Sequence, residues 1–330
     1  MKQFPIYAIA LSTILFCYLG CDKNPIVENN FNEIWELKNS NSLYSLTDIY
    51  FIDDKIGFAV GSVGVILKTT DGGERWDIID SVDTPSPTLR KINFFNKSIG
   101  LIVGNNGIIK RTTDGGNSWI TTELQPQNSI NDICIINEQV GFIIMGNLIY
   151  KTTNSGIEWK EIYSYPDPYK TFSDIHFSSV NVGYGLVKQA PLRFFGAVIK
   201  TTNSGDSWIE LDTTFSNPLY SCYFINDDIG FITDLEGRCF KTLNGGESWF
   251  LPSENNLGGV TFLYFVSPNI GYGYKLDGKL IKTYNGAENW DTIISENTES
   301  LNSFYYNKTS NSLFVVGNQG KIYKCSNPKL

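Results

Sequence analysis

The nine residues KTTDGGERW, at positions 68–76, recur along the chain with small changes. The copies are RTTDGGNSW, KTTNSGIEW, KTTNSGDSW, KTLNGGESW and KTYNGAENW, which start at Arg111, Lys151, Lys200, Lys241 and Lys282. Their tryptophans and Trp35 stand 40 to 49 residues apart, a period typical of repeat architectures. Because an acid, hydroxyls and an indole recur together, this box marks either a catalytic centre or a structural device.

Each repeat contains four short segments rich in Ile, Val, Phe and Tyr. In the first unit they are LTDIYFID, IGFAVGSVG, VILKTTDGG and RWDIIDS, separated by Gly, Asn or Asp turns. This pattern predicts four antiparallel strands. A four-stranded sheet repeated around an axis is a propeller blade, so the sequence predicts an all-β propeller.

The number of blades follows from the two ends of the chain. Six units are complete, and a seventh, which begins at LNSFYYNKTS, has three strands but no box tryptophan. The missing strand stands at the other end, where EIWELKN contains Trp35. We therefore predict a seven-bladed β-propeller of four-stranded antiparallel blades over residues 31–330. An N-terminal strand paired with residues 322–324 would complete the last blade and remove its free edge.

Residues 1–20 predict a signal peptide rather than part of the fold. The segment has one Lys near its start, then an apolar run to Leu19, then Gly20-Cys21. The apolar run is too short for a comfortable transmembrane helix. The segment resembles a bacterial lipoprotein signal, although Tyr18 stands where Leu is usual. The resemblance implies lipid attachment at Cys21, a polar tether over 21–30, and export to the bacterial cell envelope, where a lipid anchor holds the protein on a membrane, periplasmic or surface-exposed. The alternative is an ordinary secretory leader with an incidental cysteine.

Composition excludes several classes of ligand. The formal net charge of −8 argues against a nucleic-acid partner. Cysteines outside the leader are scattered without CxxC spacing, which predicts neither a metal site nor a disulfide framework; they are Cys21, Cys134, Cys222, Cys239 and Cys325. No phosphate loop, dinucleotide fingerprint or calcium loop occurs, so the sequence predicts no cofactor.

The box itself is predicted to hold a hairpin. Its Asp accepts hydrogen bonds from nearby backbone N–H groups, its Gly supplies a positive φ, and its Trp packs over the turn. In the last four copies the acid is Asn, which makes the same turn but cannot act as a general acid or nucleophile. The motif resembles the Asp-box, or BNR repeat, of sialidases, which lies at the blade periphery. The predicted structural residues are Asp71, Trp76, Asp114, Trp119, Asn154, Trp159, Asn203, Trp208, Asn244, Trp249, Asn285 and Trp290.

No catalytic residue is predicted. A sialidase needs an arginine cluster, and two of the five arginines lie in boxes. The carboxylate pairs Asp53-Asp54 and Asp227-Asp228 fall in turns, and the only histidine, His176, lies in an inner strand without a partner at suitable spacing. One cation ends each third strand; this set either binds an anion or packs its stems on the hairpins with its heads in water. It comprises Lys68, Arg111, Lys151, Lys200, Lys241, Lys282 and Lys324.

The repeat as a whole resembles that of the photosystem II stability/assembly factors. Their units run G-x-x-G-x-[IV]-x-[KR]-[ST]-x-[DN]-G-G-x-x-W, as GSVGVILKTTDGGERW and GNNGIIKRTTDGGNSW do here, and the likeness covers nearly everything from Ile34 onward. It implies a non-enzymatic propeller that binds other proteins, and it does not imply photosynthesis. The basic patch of that family has no residue-by-residue counterpart in this sequence.

Two connections of the fourth unit are longer than their counterparts. They are YSYPDPYKTF at 163–172 and KQAPLRFFG at 188–196, which should be neighbours on the face opposite the boxes. Their candidate partner-binding residues are Tyr163, Tyr165, Tyr169, Arg193, Phe194 and Phe195. Alternatively, these aromatics pack on one another to stiffen the loops. We predict a protein-binding, assembly or stability module; a glycan-binding or sialidase-like glycoside-hydrolase propeller is the alternative.

Overall fold

Antiparallel sheets follow one another around a central channel in the computed structural model, which describes residues 26–28, 33–80, 87–189, 194–252, 260–275, 277–294 and 301–330. There are seven such sheets over these residues, each a blade whose first strand lies innermost. The predicted seven-bladed all-β propeller is confirmed. In this described part of the chain, no helix has the length and apolar character needed to cross a membrane.

The strands run in chain order from the N-terminal pair to blade 7. The pair is β1 (Ile26–Glu28) and β2 (Ile34–Lys38). Blade 1 has β3 (Leu46–Phe51), β4 (Gly57–Gly61), β5 (Ile66–Thr69) and β6 (Asp77–Asp80). Blade 2 has β7 (Leu89–Phe94), β8 (Gly100–Gly104), β9 (Ile108–Thr112) and β10 (Ile120–Glu123). Blade 3 has β11 (Ile130–Ile135), β12 (Gly141–Met145), β13 (Leu148–Thr152) and β14 (Lys160–Ser164).

The remaining blades continue the same order. Blade 4 has β15 (Thr171–Phe177), β16 (Gly183–Gln189), β17 (Phe195–Thr201) and β18 (Ile209–Phe215). Blade 5 has β19 (Leu219–Phe224), β20 (Gly230–Asp234) and β21 (Cys239–Thr242). Blade 6 has β22 (Val260–Phe265), β23 (Gly271–Lys275), β24 (Leu280–Thr283) and β25 (Asp291–Ile294), and blade 7 has β26 (Leu301–Asn307), β27 (Ser312–Gly317) and β28 (Ile322–Ser326). Short 3-10 turns lie at Ser62–Gly64, Asn105–Gly107 and Asn318–Gly320.

The core lies between neighbouring blades. One apolar cluster joins Ile49 and Trp76 of blade 1 to Phe314 and Val316 of blade 7. The second strand of a blade is buried on both faces, so it is a continuous apolar run such as GFAVG or GLIVG. Each blade therefore depends on both of its neighbours for burial.

Both chain termini build blade 7, as the sequence predicts. β2 pairs antiparallel with β28, with Trp35 opposite Cys325, and the Trp35 side chain is fully buried. Beyond it, β1 pairs with β2 as a fifth strand, so residues 26–28 of the predicted tether belong to the sheet. In blade 5 the fourth strand is reduced to an isolated bridge between Lys241 and Phe250.

Each first strand carries one β-bulge near its start. In blade 1 the bulge falls between Leu46 and Asp48, and in blade 2 between Leu89 and Lys91; the five other blades repeat it. A bulge leaves one residue outside the ladder and re-aims its side chain. The seven bulged residues therefore form a ring at one end of the channel.

Candidate functional site

The two faces of the propeller are built from different turns. Ser62 N, in the turn after β4, donates to Ser45 O at 2.8 Å, so this turn lies beside the connection that enters the blade. Gly72 N, in the box, donates to Lys55 O at 2.9 Å on the opposite side. We call the first side the entry face and the second the box face.

The box closes the hairpin between the third and fourth strands through bonds within its own turn. Thr69 Oγ1 accepts from Gly73 N at 2.9 Å and donates to Asp71 Oδ1 at 2.9 Å. Asp71 Oδ1 also accepts from Arg75 N at 2.9 Å, and Asn154 Oδ1 accepts the equivalent bond at 3.0 Å in its own copy. The carboxylate and the amide thus serve the same turn.

The box turns also fit against the preceding blade. Gly73 has a φ of +84°, and a Cβ there would lie 2.6 Å from the ring of Phe314 in blade 7. Gly116 has a φ of +76°, and its Cβ would lie 2.4 Å from Phe58 in blade 1. Glycine at this position permits both the left-handed backbone and the contact between blades.

The ring of cations at the ends of the third strands differs from both sequence interpretations. Six of the seven cations donate a hydrogen bond from the head group to the box of the next blade. Lys200 Nζ donates to Gly245 O at 2.8 Å, and Lys324 Nζ donates across the closure to Gly72 O at 2.8 Å. Lys68, Arg111, Lys151 and Lys241 make the corresponding bonds. Neighbouring blades are therefore spaced so that the cationic head group of one blade reaches the box turn of the next.

Lys282 is the exception because blade 7 has no box. Its Nζ meets the chain ends instead, 2.5 Å from Glu33 Oε1 and 2.6 Å from Lys329 O. Tyr272 Oη donates to the same Glu33 oxygen at 3.2 Å, and the side chains of Lys282 and Glu33 are both fully buried. This buried cluster of hydrogen bonds takes the place of the box that blade 7 lacks.

The carboxylate pairs and the histidine make structural contacts. Asp53 Oδ1 accepts from the N–H groups of Lys55 and Ile56 at 2.9 and 2.7 Å, as a turn residue does. His176 Nε2 donates to Phe224 O of the next blade at 3.0 Å, and burial lowers the pKa of the ring. Across the described ranges, no group of His, Cys, Asp and Glu side chains could hold a metal ion.

The predicted partner-binding residues divide into exposed and covered ones. Tyr169 is 79% exposed and Phe194 is 58% exposed, while Tyr163 and Phe195 are half-buried. The pairings of Thr171 with Lys188 and of Lys188 with Gly196 place the two long connections side by side, as predicted. Arg193 lies outside the described residues. We call Tyr169 and Phe194 the aromatic patch.

Tyr165 is a correction to that set. Its side chain is only 4% exposed, its Oη donates to Glu210 Oε2 at 2.5 Å, and its ring packs edge-on against Phe172 in the core between blades 3 and 4. The ammonium of Lys170 lies 3.6 Å from the centre of the Phe195 ring. Tyr165 and Phe195 therefore stiffen the loops, whereas the aromatic patch faces solvent.

A polar depression at the entry-face end of the channel, which we call the channel mouth, is lined by four of the bulged residues: Thr47, Arg90, Asn131 and Asn302. Four bulged residues donate to a carbonyl of the next blade's first strand: Thr47 to Leu89, Asn131 to Phe172, Ser173 to Leu219 and Asn302 to Leu46, at 2.6 to 3.1 Å. Arg90 and Tyr220 occupy the same position and make no such bond in the described chain.

Below the mouth, a charged layer bridges the blades inside the channel. Asp48 Oδ2 accepts from Ile92 N at 2.8 Å and Asp174 Oδ2 accepts from Cys222 N at 2.7 Å, both across a blade boundary. Burial alone would lower the pKa of Lys91, but the carboxylates, with Asp48 foremost, raise it above its ordinary value. Asp48 and Asp174 therefore have a structural role, since each accepts a backbone hydrogen bond from the next blade.

Sequence reasoning missed Arg90, which lines the mouth. The available signal was position: Arg90 is the bulged residue of its first strand, where other units have Thr, Asn, Ser or Tyr. Nothing in the sequence shows that Arg90, Thr47 and Asn302, which lie far apart in the chain, share one depression.

Known proteins with a similar sequence pattern and fold include a photosystem assembly factor. Residues 27–164 match the family model of the photosynthesis system II assembly factor YCF48. A solved structure of YCF48 bound to D1 peptide has a TM-score of 0.73, 20% identity, and coverage of 93% of this chain and 100% of that one. YCF48 from Cyanidioschyzon merolae has a TM-score of 0.73 and 18% identity, over 88% of this chain and 98% of that one. The resemblance to a photosystem II assembly-factor propeller is thus confirmed.

A more distant structural match is an enzyme. The GH74 xyloglucanase from Xanthomonas campestris has a TM-score of 0.70 and 10% identity, over 89% of this chain and 54% of that one. At these identities a structural likeness shows the fold alone. Comparison with curated protein sequences found no match. The family-model match favours a protein-binding module over an enzyme.

Proposed function

We propose that this chain is an exported, lipid-anchored propeller that binds a segment of another protein and acts as an assembly or stability module in the bacterial cell envelope. The observation that carries the proposal is the match of residues 27–164 to the YCF48 family model. It is supported by the solved structure of YCF48 bound to D1 peptide, a propeller of similar fold that holds a peptide. Export and anchoring rest on the resemblance of residues 1–20 to a lipoprotein signal.

The binding surface proposed is the entry face of blades 3 and 4. The box face is occupied by hairpin turns and by cations that bond to neighbouring blades. On the entry face, Tyr169 and Phe194 expose aromatic rings beside each other's loops. Exposed aromatic side chains are enriched at the centres of protein interfaces.

The test compares Tyr169→Ala and Phe194→Ala with Ile157→Ala, which is also well exposed at 65% but lies in a box. Purified propeller carrying a photo-crosslinker on the entry face would be incubated with solubilised envelope, and crosslinked proteins counted by mass spectrometry. We expect both patch variants to lose specific crosslinks at unchanged melting temperature, and Ile157→Ala to keep them. Equal crosslinking by all three would reject this surface. A Cys21→Ser chain that still fractionates with membranes would reject the anchor.

A further inference from the structure

The loop between β2 and β3, residues 39–45, carries an exposed apolar tip on the entry face. Leu43 is 88% exposed and Tyr44 is 43% exposed, and we call these two residues the Leu–Tyr tip. The next residue, Ser45, accepts a hydrogen bond from Ser62 N at 2.8 Å, which holds the loop against the entry-face turn of blade 1. The tip therefore stands at the boundary between blade 7 and blade 1.

No charged side chain belongs to this loop or to the two turns beside it. The loop reads NSNSLYS. The entry-face turns of blades 1 and 7, Ser62–Gly64 and Asn318–Gly320, read SVG and NQG. The long connection at 163–172, by contrast, contains one Asp and one Lys. Because it is unfavourable to move a charge out of water, the uncharged loop is better suited than that connection to approach a lipid surface.

The N-terminal strand brings the tether to the same end of blade 7. Lys38, the last residue of β2, pairs with Ile322 just after the entry-face turn of this blade. β1 is antiparallel to β2, with Ile26 opposite Glu36, so β1 begins at its end nearer the entry face. Cys21 precedes Ile26 by five residues, which span at most about 18 Å when fully extended. A lipid on Cys21 would therefore hold this edge of the propeller close to a membrane.

We propose that the Leu–Tyr tip enters the lipid surface to which Cys21 is anchored, with Leu43 at the boundary of the acyl chains and the Tyr44 ring among the headgroups. Tyrosine is enriched at this level of membranes, and apolar side chains that reach it add to the hold of an acyl anchor. This inference rests on the proposed lipid anchor and specifies how the anchor orients the ring.

The orientation places the partner-binding surface away from the lipid. Blade 7 lies across the ring from the boundary between blades 3 and 4, because three blades separate the two on either side. The aromatic patch, Tyr169 and Phe194, belongs to that boundary. With blade 7 against the membrane, the patch stands at the far rim of the entry face, where a protein partner can reach it.

A fluorescent probe reports where the tip lies. The full-length chain with Leu43→Cys, purified from bacterial membranes, is labelled with the dye NBD at position 43 and placed on phosphatidylcholine vesicles. We expect the emission to shift to shorter wavelength, and lipids brominated on their acyl chains to quench it by roughly half or more. Ile157→Cys is the matched control, because Ile157 is 65% exposed but lies in the box of blade 3, and its dye should emit as in water. The unsubstituted chain gives the background from its own cysteines.

Flotation of the protein with the vesicles decides separately on the anchor. A chain that floats while the dye at position 43 stays unquenched would overturn insertion of the tip and leave the proposed anchor in place; a crosslink from position 43 to a protein would then assign the tip to the partner. Equal quenching at positions 43 and 157 would overturn the inference as well, since no one edge of the ring would then face the lipid. A chain that does not float, with Cys21 free of lipid, would overturn both the anchor and the insertion.

Discussion

At the scale of single residues, the box works through one threonine hydroxyl and one side-chain oxygen. Thr69 Oγ1 accepts the Gly73 N–H while it donates to Asp71, and both Thr69 and Gly73 are buried. Thr69→Val keeps the shape but leaves the Gly73 N–H without a partner, which should lower the free energy of unfolding by about 1–3 kcal/mol. Thr70→Val is the control, since Thr70 is exposed in the same turn. Urea unfolding of both variants measures the difference; similar midpoints would show that the hydroxyl is dispensable.

The acidic copies of the box should confer a pH dependence that the Asn copies lack. Hydrogen bonds from the Ser118 hydroxyl, and then from Ser118 N and Thr112 Oγ1, hold the pKa of Asp114 well below its ordinary value. A carboxylate with a lowered folded pKa stabilises the fold above its unfolded pKa, and this contribution is lost as pH falls toward the folded pKa. Asp114→Asn should therefore show a shallower loss of melting temperature between about pH 4 and pH 2 than the wild type. Parallel curves for the two proteins would contradict the assignment.

At the scale of elements, each third strand ends in a cation that reaches the next blade. Lys200 offers the clearest case, because among the described residues its head group has a single hydrogen bond, to Gly245 O at 2.8 Å, and lies 5.4 Å from the centre of the Tyr184 ring. Lys200→Met keeps the stem and removes the charged donor, so we expect a loss of about 1–2 kcal/mol in unfolding free energy. Lys160→Met, at an exposed lysine of β14, should be neutral. Chemical denaturation followed by tryptophan fluorescence measures both.

The elements show where sequence reasoning reaches and where it stops. The spacing of the tryptophans predicts the blades, and the position of Trp35 predicts the closing strand, because a period and a local motif can both be read from the sequence. The bond from Lys200 to Gly245 could not be predicted, since it depends on the angle between two blades. Tyr165 looked like a surface aromatic because its burial depends on Phe172 and Glu210 of the next blade. β1 was missed because three residues, IVE, are too few to show a period.

At the scale of the whole molecule, closure at blade 7 holds the ring together. Removing residues 21–38 deletes Trp35 and leaves Lys282 buried without Glu33. Burial of the indole contributes about 2–3 kcal/mol, and a buried charge that loses its partner costs about 3–5 kcal/mol. We expect this truncation to unfold or to melt far below the full chain. Removing residues 22–30 deletes only the outer strand β1 and should change the melting temperature little. Equal melting temperatures for the two truncations would refute closure by β2.

The antiparallel pairing of β1 with β2 also determines how the ring responds to force. A pull on the N terminus opens this hairpin from its free end, one hydrogen-bonded pair after another, in the manner of a zipper. We expect the force to reach β2, which carries Trp35, only after β1 has detached. Detachment of β1 lengthens the chain while the ring stays closed. Stretching single molecules between the N terminus and a handle on blade 4 should show a small extension at low force before the main rupture. A single rupture with no earlier step would mean that β1 bears no load of its own.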